Sequence, residues 1–248
     1  MSVRLNLSGV EFSKNDKKRN IILPYRMNED LAEDIGIQIG DGCLHLGKKD
    51  FAILCSGNYS EDFLYFHNFL IPLKKRLFKN VVLNLRKHKN QNTYELKIGS
   101  KAIFTFYRKV IGLPAGYKNG IKIPELLFDK ESWIKACIRG IFDTDFCLTF
   151  KRKRKPYHRY PVILTCLKSK VLVKQLEMIL KQLGLKPHVE YDFPAFDKRF
   201  GKNYTKNFLY LNGKKNLEKW WTIIGSNNPR LITRFQIWKR FDFCPPRT

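Results

Sequence analysis

Two stretches of the chain share one hydrophobic pattern. In Leu31–Leu46 an apolar run with helical spacing ends in an acid and passes into a strand-like run, and Ser132–Phe150 does the same. With Asp41 set on Asp145, Ala32 falls on Ala136, Gly36 on Gly140 and Gly40 on Thr144. Small residues at i, i+4 and i+8 form one smooth face on a helix. Glycine inside a helix costs about 1 kcal/mol relative to alanine, so its presence calls for close approach of another backbone. The pattern predicts two helices packed through these faces, with Asp41 and Asp145 side by side at their C-terminal ends. A carboxylate there faces the negative end of the helix dipole. Two of them make a poor structural feature and a good divalent-cation site.

The flanking periodicities predict a repeated order. The first half reads helix Glu29–Gly40, capped by Asn28, then strands Cys43–Leu46 and Phe51–Cys55. A helix from Ser60 to Lys79 follows, with Pro72 as a kink or break, then strands Val81–Lys87 and Thr93–Ile98 and helix Lys101–Val110. The second half reads helix Ser132–Phe142, strands Cys147–Lys151 and Val162–Cys166, and helix Lys170–Leu183 ended by Gly184. Strand Pro187–Tyr191, a long excursion Asp192–Lys206, strand Asn207–Leu211 and helix Lys214–Ile224 complete it. Two α-β-β-α-β-β-α halves give an α+β protein with a four-stranded antiparallel sheet in each. The expected divisions are an arm or edge strand at 1–28, halves at 29–114 and 132–229, a linker at 115–131, and a C-terminal helix and tail at 230–248.

Composition narrows the function. The chain has 248 residues and a formal net charge of +25, from 47 Lys and Arg against 22 Asp and Glu. That excess favours a polyanion, nucleic acid first. No apolar run approaches the length of a membrane span, and the N-terminus lacks the apolar core of a signal peptide, so an intracellular protein without a membrane partner is expected. The six cysteines form no CxxC pair and are expected as reduced thiols. The five histidines have no metal spacing, and no Walker loop, GxGxxG or Ser-His-Asp order is present.

The two segments resemble the LAGLIDADG motif of homing endonucleases, in the single-chain form with two motifs. Asp34–Gly42, DIGIQIGDG, matches the nine positions once, and Ile138–Phe146, IRGIFDTDF, matches them again. Two departures stand out: Ile39 replaces the first acid of the first copy, and Phe146 replaces the closing glycine of the second. The resemblance implies halves related by a pseudo-twofold axis along the motif helices. It also implies antiparallel sheets forming a DNA-binding saddle, and a monomer that hydrolyses both strands of a long asymmetric duplex target. Short 3′ overhangs would result. Asp41 and Asp145 then fall at the metal-binding acids, for Mg²⁺ or Mn²⁺. Lys101 and Lys214, which follow corresponding strands in GSK and NGK, fall at the lysine near the family's active site; Lys97 and Lys215 are the neighbouring alternatives.

Strand faces would read sequence, because a β-ribbon fits the major groove. Alternation points Leu44 and Leu46 inward and Cys43 and His45 outward. In the echo Thr149, Lys151 and Lys153 point outward. Asn84, Arg86 and His88 share one strand face, Glu95 and Lys97 another, and Phe208 and Tyr210 correspond to the latter pair. Lys48, Lys49 and the turn carrying Arg154 and Arg159 are placed to touch phosphates. Each of these could equally be a solvated surface charge; together they suit a DNA-binding face. Two other functions fit the same scaffold: a maturase binding its intron RNA, and a DNA-binding regulator that does not cleave.

Overall fold

The computed structural model describes residues 3–47, 50–88, 91–118, 120–153, 156–198 and 201–246. The chain divides into two compact units, Met1–Lys118 with Pro124–Thr144, and Asn119–Ile123 with Asp145–Thr248.

In the first unit the N-terminal segment does not form an edge strand. Among the described residues it makes only single bridges, Arg4 with Arg26 and Ile22 with Lys79, around a short helix α1 (Lys14–Lys18). The polar run FSKNDKKRN has no two-residue alternation, and Ser13 with Asp16 forms a capping box instead. Leu5, Ile21, Leu23 and Met27 bury the segment against the unit.

Helix α2 (Glu29–Ile39) starts at Asn28, whose Oδ1 accepts the Leu31 N–H at 2.8 Å. Strands β1 (Gly42–Leu46) and β2 (Phe51–Asn58) follow. Helix α3 (Tyr59–Tyr65) is capped by Asn58 rather than Ser60, through the N–H groups of Ser60 and Glu61 at 3.0 and 3.1 Å. It passes through a π-helical turn, Phe66–Leu70, into α4 (Ile71–Leu77). Pro72 therefore does not break the helix; the wider turn just before it absorbs the missing N–H and the bulk of the ring. Strand β3 (Asn84–Lys87) is shorter than expected, and β4 (Thr93–Gly99) leads to α5 (Lys101–Thr105). A second π-helical turn, Phe106–Ile111, ends at Gly112 with φ 85°, a left-handed conformation that glycine tolerates.

The four strands form an antiparallel sheet in the order β1-β2-β4-β3. Leu44, Ile53 and Ile98 lie opposite one another and are buried. Leu46 breaks the expected alternation: it is 53% exposed, because β1 is an edge strand and this is its last residue.

Helix α6 (Glu131–Asp145) carries the second motif. Its body and α2 lock as the small residues predict. A Cβ at Gly36 would stand 2.0 Å from the Cys137 carbonyl oxygen; one at Gly140 would stand 2.2 Å from the Glu33 oxygen and 2.8 Å from the Ile37 nitrogen. Ala32 and Ala136 are buried on the same faces. Arg139 spans the two helices to Glu33 at 2.6 Å. Beneath them Lys74 pairs with Asp34 at 2.6 Å, both fully buried, and the Tyr107 hydroxyl donates to the same carboxylate.

The second unit holds β5 (Phe146–Lys151), β6 (Tyr160–Leu167), α7 (Lys170–Gln182), β7 (Pro187–Asp197), β8 (Lys202–Asn212), α8 (Lys214–Ile223) and α9 (Pro229–Phe241). Its antiparallel sheet has the order β5-β6-β8-β7. The expected excursion at Asp192–Lys206 is instead the outer part of a long β7–β8 hairpin, with a register shift between Glu190 and Phe193. Asp192, at φ 56°, sits in that shift and interrupts the alternation that would have identified the strand. The protein is thus α+β with two four-stranded antiparallel sheets. Among the described residues no helix is long and apolar enough to cross a membrane.

Candidate functional site

Asp41 and Asp145 occupy equivalent places in the chain, where a motif helix passes into the first strand of a sheet. Both are half-buried. In the first unit α2 ends at Gly40, and the Asp41 carbonyl accepts the Ser56 N–H of β2 at 3.3 Å. In the second unit the Asp145 carbonyl accepts the Thr165 hydroxyl of β6 at 2.9 Å. Each acid is therefore pinned through its backbone to a central strand.

The two helix ends differ. Gly42 lies tight over the preceding helix: a Cβ there would meet Gln38 Cα at 2.4 Å. In the second copy the helix continues through Asp145, and the residue at that place no longer folds back. Phe146 is buried, with its ring 6.0 Å from that of Trp220. The missing glycine is therefore the mark of a longer helix with its own aromatic anchor.

A residue that the sequence did not single out lies at the helix end before the first candidate acid. The Lys118 ammonium donates to the carbonyls of Ile39, at 2.9 Å, and of Gly40. It supplies the positive charge that a helix C-terminus favours, one residue before Asp41. Burial pushes the nearby Cys55 thiol far up, and the Asp41 charge adds to this. No local pattern marks Lys118; it comes from the glycine-rich connection after the first sheet.

The two candidate lysines are held differently. Lys101 pairs with Glu11 at 2.7 Å, and Lys109 binds the same carboxylate. These hydrogen bonds lower the Glu11 carboxyl to about 2. Asp16 Oδ2 accepts the Lys101 and Ala102 N–H groups, both at 3.1 Å, while Ser100 caps the Ile103 N–H. The N-terminal segment thus fixes the helix that carries Lys101. Lys214 is exposed, 3.7 Å from Glu218 and with its ammonium 5.8 Å from the Trp238 ring. Of the alternatives, Lys97 is paired with Asp50 at 2.6 Å and Lys215 is exposed.

Of the expected reading residues, His45, Asn84, Arg86, Lys97, Thr149, Lys151 and Tyr210 lie on strands, whereas His88 lies just past β3 and Lys153, expected on a strand face, lies in the turn after β5. On the first sheet Asn84 lies opposite Lys97, and Arg86 opposite Glu95. His88 is exposed, 3.8 Å from Glu95, and His45 is exposed on β1. On the second sheet Thr149 is half-buried and Lys151 exposed; Tyr210 lies opposite both Leu164 and His188. Lys153 sits over the Tyr160 ring at 3.9 Å. Arg159 is ion-paired with Asp242. Lys48, Lys49 and Arg154 lie outside the described residues. No group of three or more His, Cys, Asp or Glu able to hold a metal occurs among the described residues.

No known family profile matches the chain, and no curated protein matches its sequence. Solved structures do match. The fold is similar to that of I-DmoI in complex with DNA and Ca, at 15% identity over 84% of this chain and 97% of the other, with a TM-score of 0.52. It is similar to I-DmoI in complex with DNA and Mn, at 18% identity over 79% and 96%, TM-score 0.50. It is also similar to the homing endonuclease I-WcaI bound to its DNA recognition sequence, at 16% identity over 88% of each chain, TM-score 0.50. The structural neighbours thus include LAGLIDADG homing endonucleases and the LAGLIDADG domain of DUF199/WhiA. At these identities the likeness establishes a shared fold.

Proposed function

We propose that the protein is a monomeric, sequence-specific, divalent-metal-dependent DNA endonuclease of the homing type. The observation that carries this reading is the motif repeat itself, whose two helices lock through Gly36 and Gly140 and lead to acids in equivalent places. The fold shared with endonucleases solved on DNA supports it, as does the charge of +25.

Asp41 and Asp145 are the proposed metal ligands. The donor set fits a hard cation: half-buried carboxylates beside helix-terminal carbonyl oxygens, with no thiolate or imidazole required. A bound Mg²⁺ or Mn²⁺ would supply charge stabilisation and activation of water for phosphodiester hydrolysis. The chain's own contribution is to aim the carboxylates through the pinned Asp41 and Asp145 carbonyls, and to place Lys101 and Lys214 near the phosphates. His45, Asn84, Arg86, His88, Lys97, Thr149, Lys151, Lys153, Arg159 and Tyr210 are the proposed DNA contacts from the described strands and turns.

The test is a supercoiled plasmid library of genomic fragments from the source organism, incubated with the protein and Mg²⁺ and sequenced at new ends. One or a few sites cut in both strands are expected. Asp41→Asn and Asp145→Asn should each abolish cutting while duplex binding persists. Full cutting by either variant refutes the ligand assignment. Tight duplex binding without any cleavage would leave a regulator, and selective binding of intron RNA a maturase.

A further inference from the structure

The open faces of the two sheets differ in chemistry at matching places. Counting from the edge strand that follows each motif helix, Cys43, Leu54, Lys97 and Asn84 form one row across the first sheet. The matching row of the second is Cys147, Leu164, Tyr210 and His188. The next row is Ser56, Glu95 and Arg86 in the first sheet and Cys166, Phe208 and Glu190 in the second. Lysine and glutamate on the central strand β4 are thus replaced on β8 by tyrosine and phenylalanine.

The rings form a ladder. Phe208 and Tyr210 stack at 5.9 Å and 15°, His188 lies 6.0 Å beyond Tyr210, and Phe193 meets Phe208 edge-on at 5.5 Å. Lys206 holds its ammonium 5.2 Å from the Phe208 ring. Ring faces are therefore taken by neighbouring rings and by a cation, which leaves edges for a ligand. Stacking on an unpaired base needs a free face; apolar contact with a methyl group needs only an edge. In a duplex major groove the one apolar group that carries sequence information is the thymine 5-methyl.

We infer that the second sheet reads its half of a duplex target through thymine 5-methyl groups, with Phe208 and Tyr210 as the specificity-determining residues, whereas the first sheet reads its half by hydrogen bonds. This rests on the duplex-DNA reading above. Burying one methyl changes affinity by about fourfold, so two or three thymines account for tenfold or more.

The experiment selects duplexes from a randomised pool by retention on the protein in Ca²⁺, then remakes the selected duplex with deoxyuridine for thymidine in either half. Replacement in one half is expected to weaken binding at least about tenfold, and in the other half much less. Phe208→Ala with Tyr210→Ala should remove the difference between thymidine and deoxyuridine. Both side chains are half-buried, and unchanged thermal melting checks that the variant is folded. Asn84→Ala with Arg86→Ala should weaken binding but keep that difference. Equal affinity for both duplexes overturns the inference and leaves the duplex reading standing. Retention of no duplex at all overturns both. Preference for single-stranded oligonucleotide, lost in the ring variant, assigns the ladder to unpaired bases and overturns the inference.

Discussion

Replacing either motif glycine by alanine sets two effects against each other. In an ordinary helix interior the change is stabilising by about 1 kcal/mol. Here the added Cβ at Gly36 would stand 2.0 Å from the Cys137 oxygen, and at Gly140 2.2 Å from the Glu33 oxygen. Both distances fall more than about 1 Å short of ordinary contact. The obstacle is backbone in the facing helix, so no rotamer change relieves it. Overpacking of this kind costs about 1–3 kcal/mol and sometimes more. With rigid partners the upper end applies, and the net loss is about 2 kcal/mol or more at each site. For a chain of 248 residues that corresponds to a fall in Tm of roughly 4–8 °C. Urea and thermal unfolding of Gly36→Ala, Gly140→Ala and the double variant measure it, with Gly99→Ala, whose Cβ would meet nothing within 4 Å, as control. Because the two contacts close one interface, the double variant should lose less than the sum of the singles. If Gly36→Ala or Gly140→Ala is as stable as the parent, the helices do not meet as described.

Three further outcomes follow. Asp16→Asn should cost about 1–2 kcal/mol at pH 6 by weakening the cap on α5. Burial favours the neutral Asp16 carboxyl, but hydrogen bonds from Ser13 and Ala102 override it and hold it below the usual aspartate range. The parent's advantage is therefore present above about pH 4 and fades as pH falls through the folded value; a gap in unfolding free energy that does not narrow by pH 2 contradicts this. Lys74→Met should cost about 3–5 kcal/mol by stranding the buried Asp34 charge, and Asp34→Leu with Lys74→Met should recover part of it; equal loss in single and double variants would show that the pair is uncoupled. Lys118→Met removes a cation beside Asp41, so Mn²⁺ should bind more tightly in an EPR titration, and unchanged affinity would separate Lys118 from that site.

The parts of the fold that the sequence made legible are those where one local rule acts unopposed. The glycine faces of α2 and α6 could be read because nothing else explains glycine in a helix. Asn28 as cap and the sheet-facing Leu44 could be read for similar reasons. Tertiary context hid the rest. Pro72 suggested a kink or break, and the π-helical turn just before it, which runs α3 on into α4, carries no sequence signal of its own. The register shift at Asp192 concealed half of the β7–β8 hairpin. Leu46 fits a buried strand position by alternation, but an edge strand has no cover at its end.

The candidate site shows the same division more sharply. The equivalent places of Asp41 and Asp145 were legible because the repeat sets them in one register; the charges around the candidate residues were not, because they arrive from distant segments. Lys118 reaches the end of α2 from the connection after the first sheet. Glu11 and Asp16 reach Lys101 and the start of α5 from the N-terminal segment. Such contacts carry no periodicity, since each depends on a single side chain of the right length and sign. They also make the two copies unequal: Lys101 is clamped by an acid on another segment, while Lys214 is exposed, near a glutamate of its own helix and the Trp238 ring. The repeated motif accounts for the matching acids. On the proposed function, these different surroundings suit a target whose two halves need not be alike.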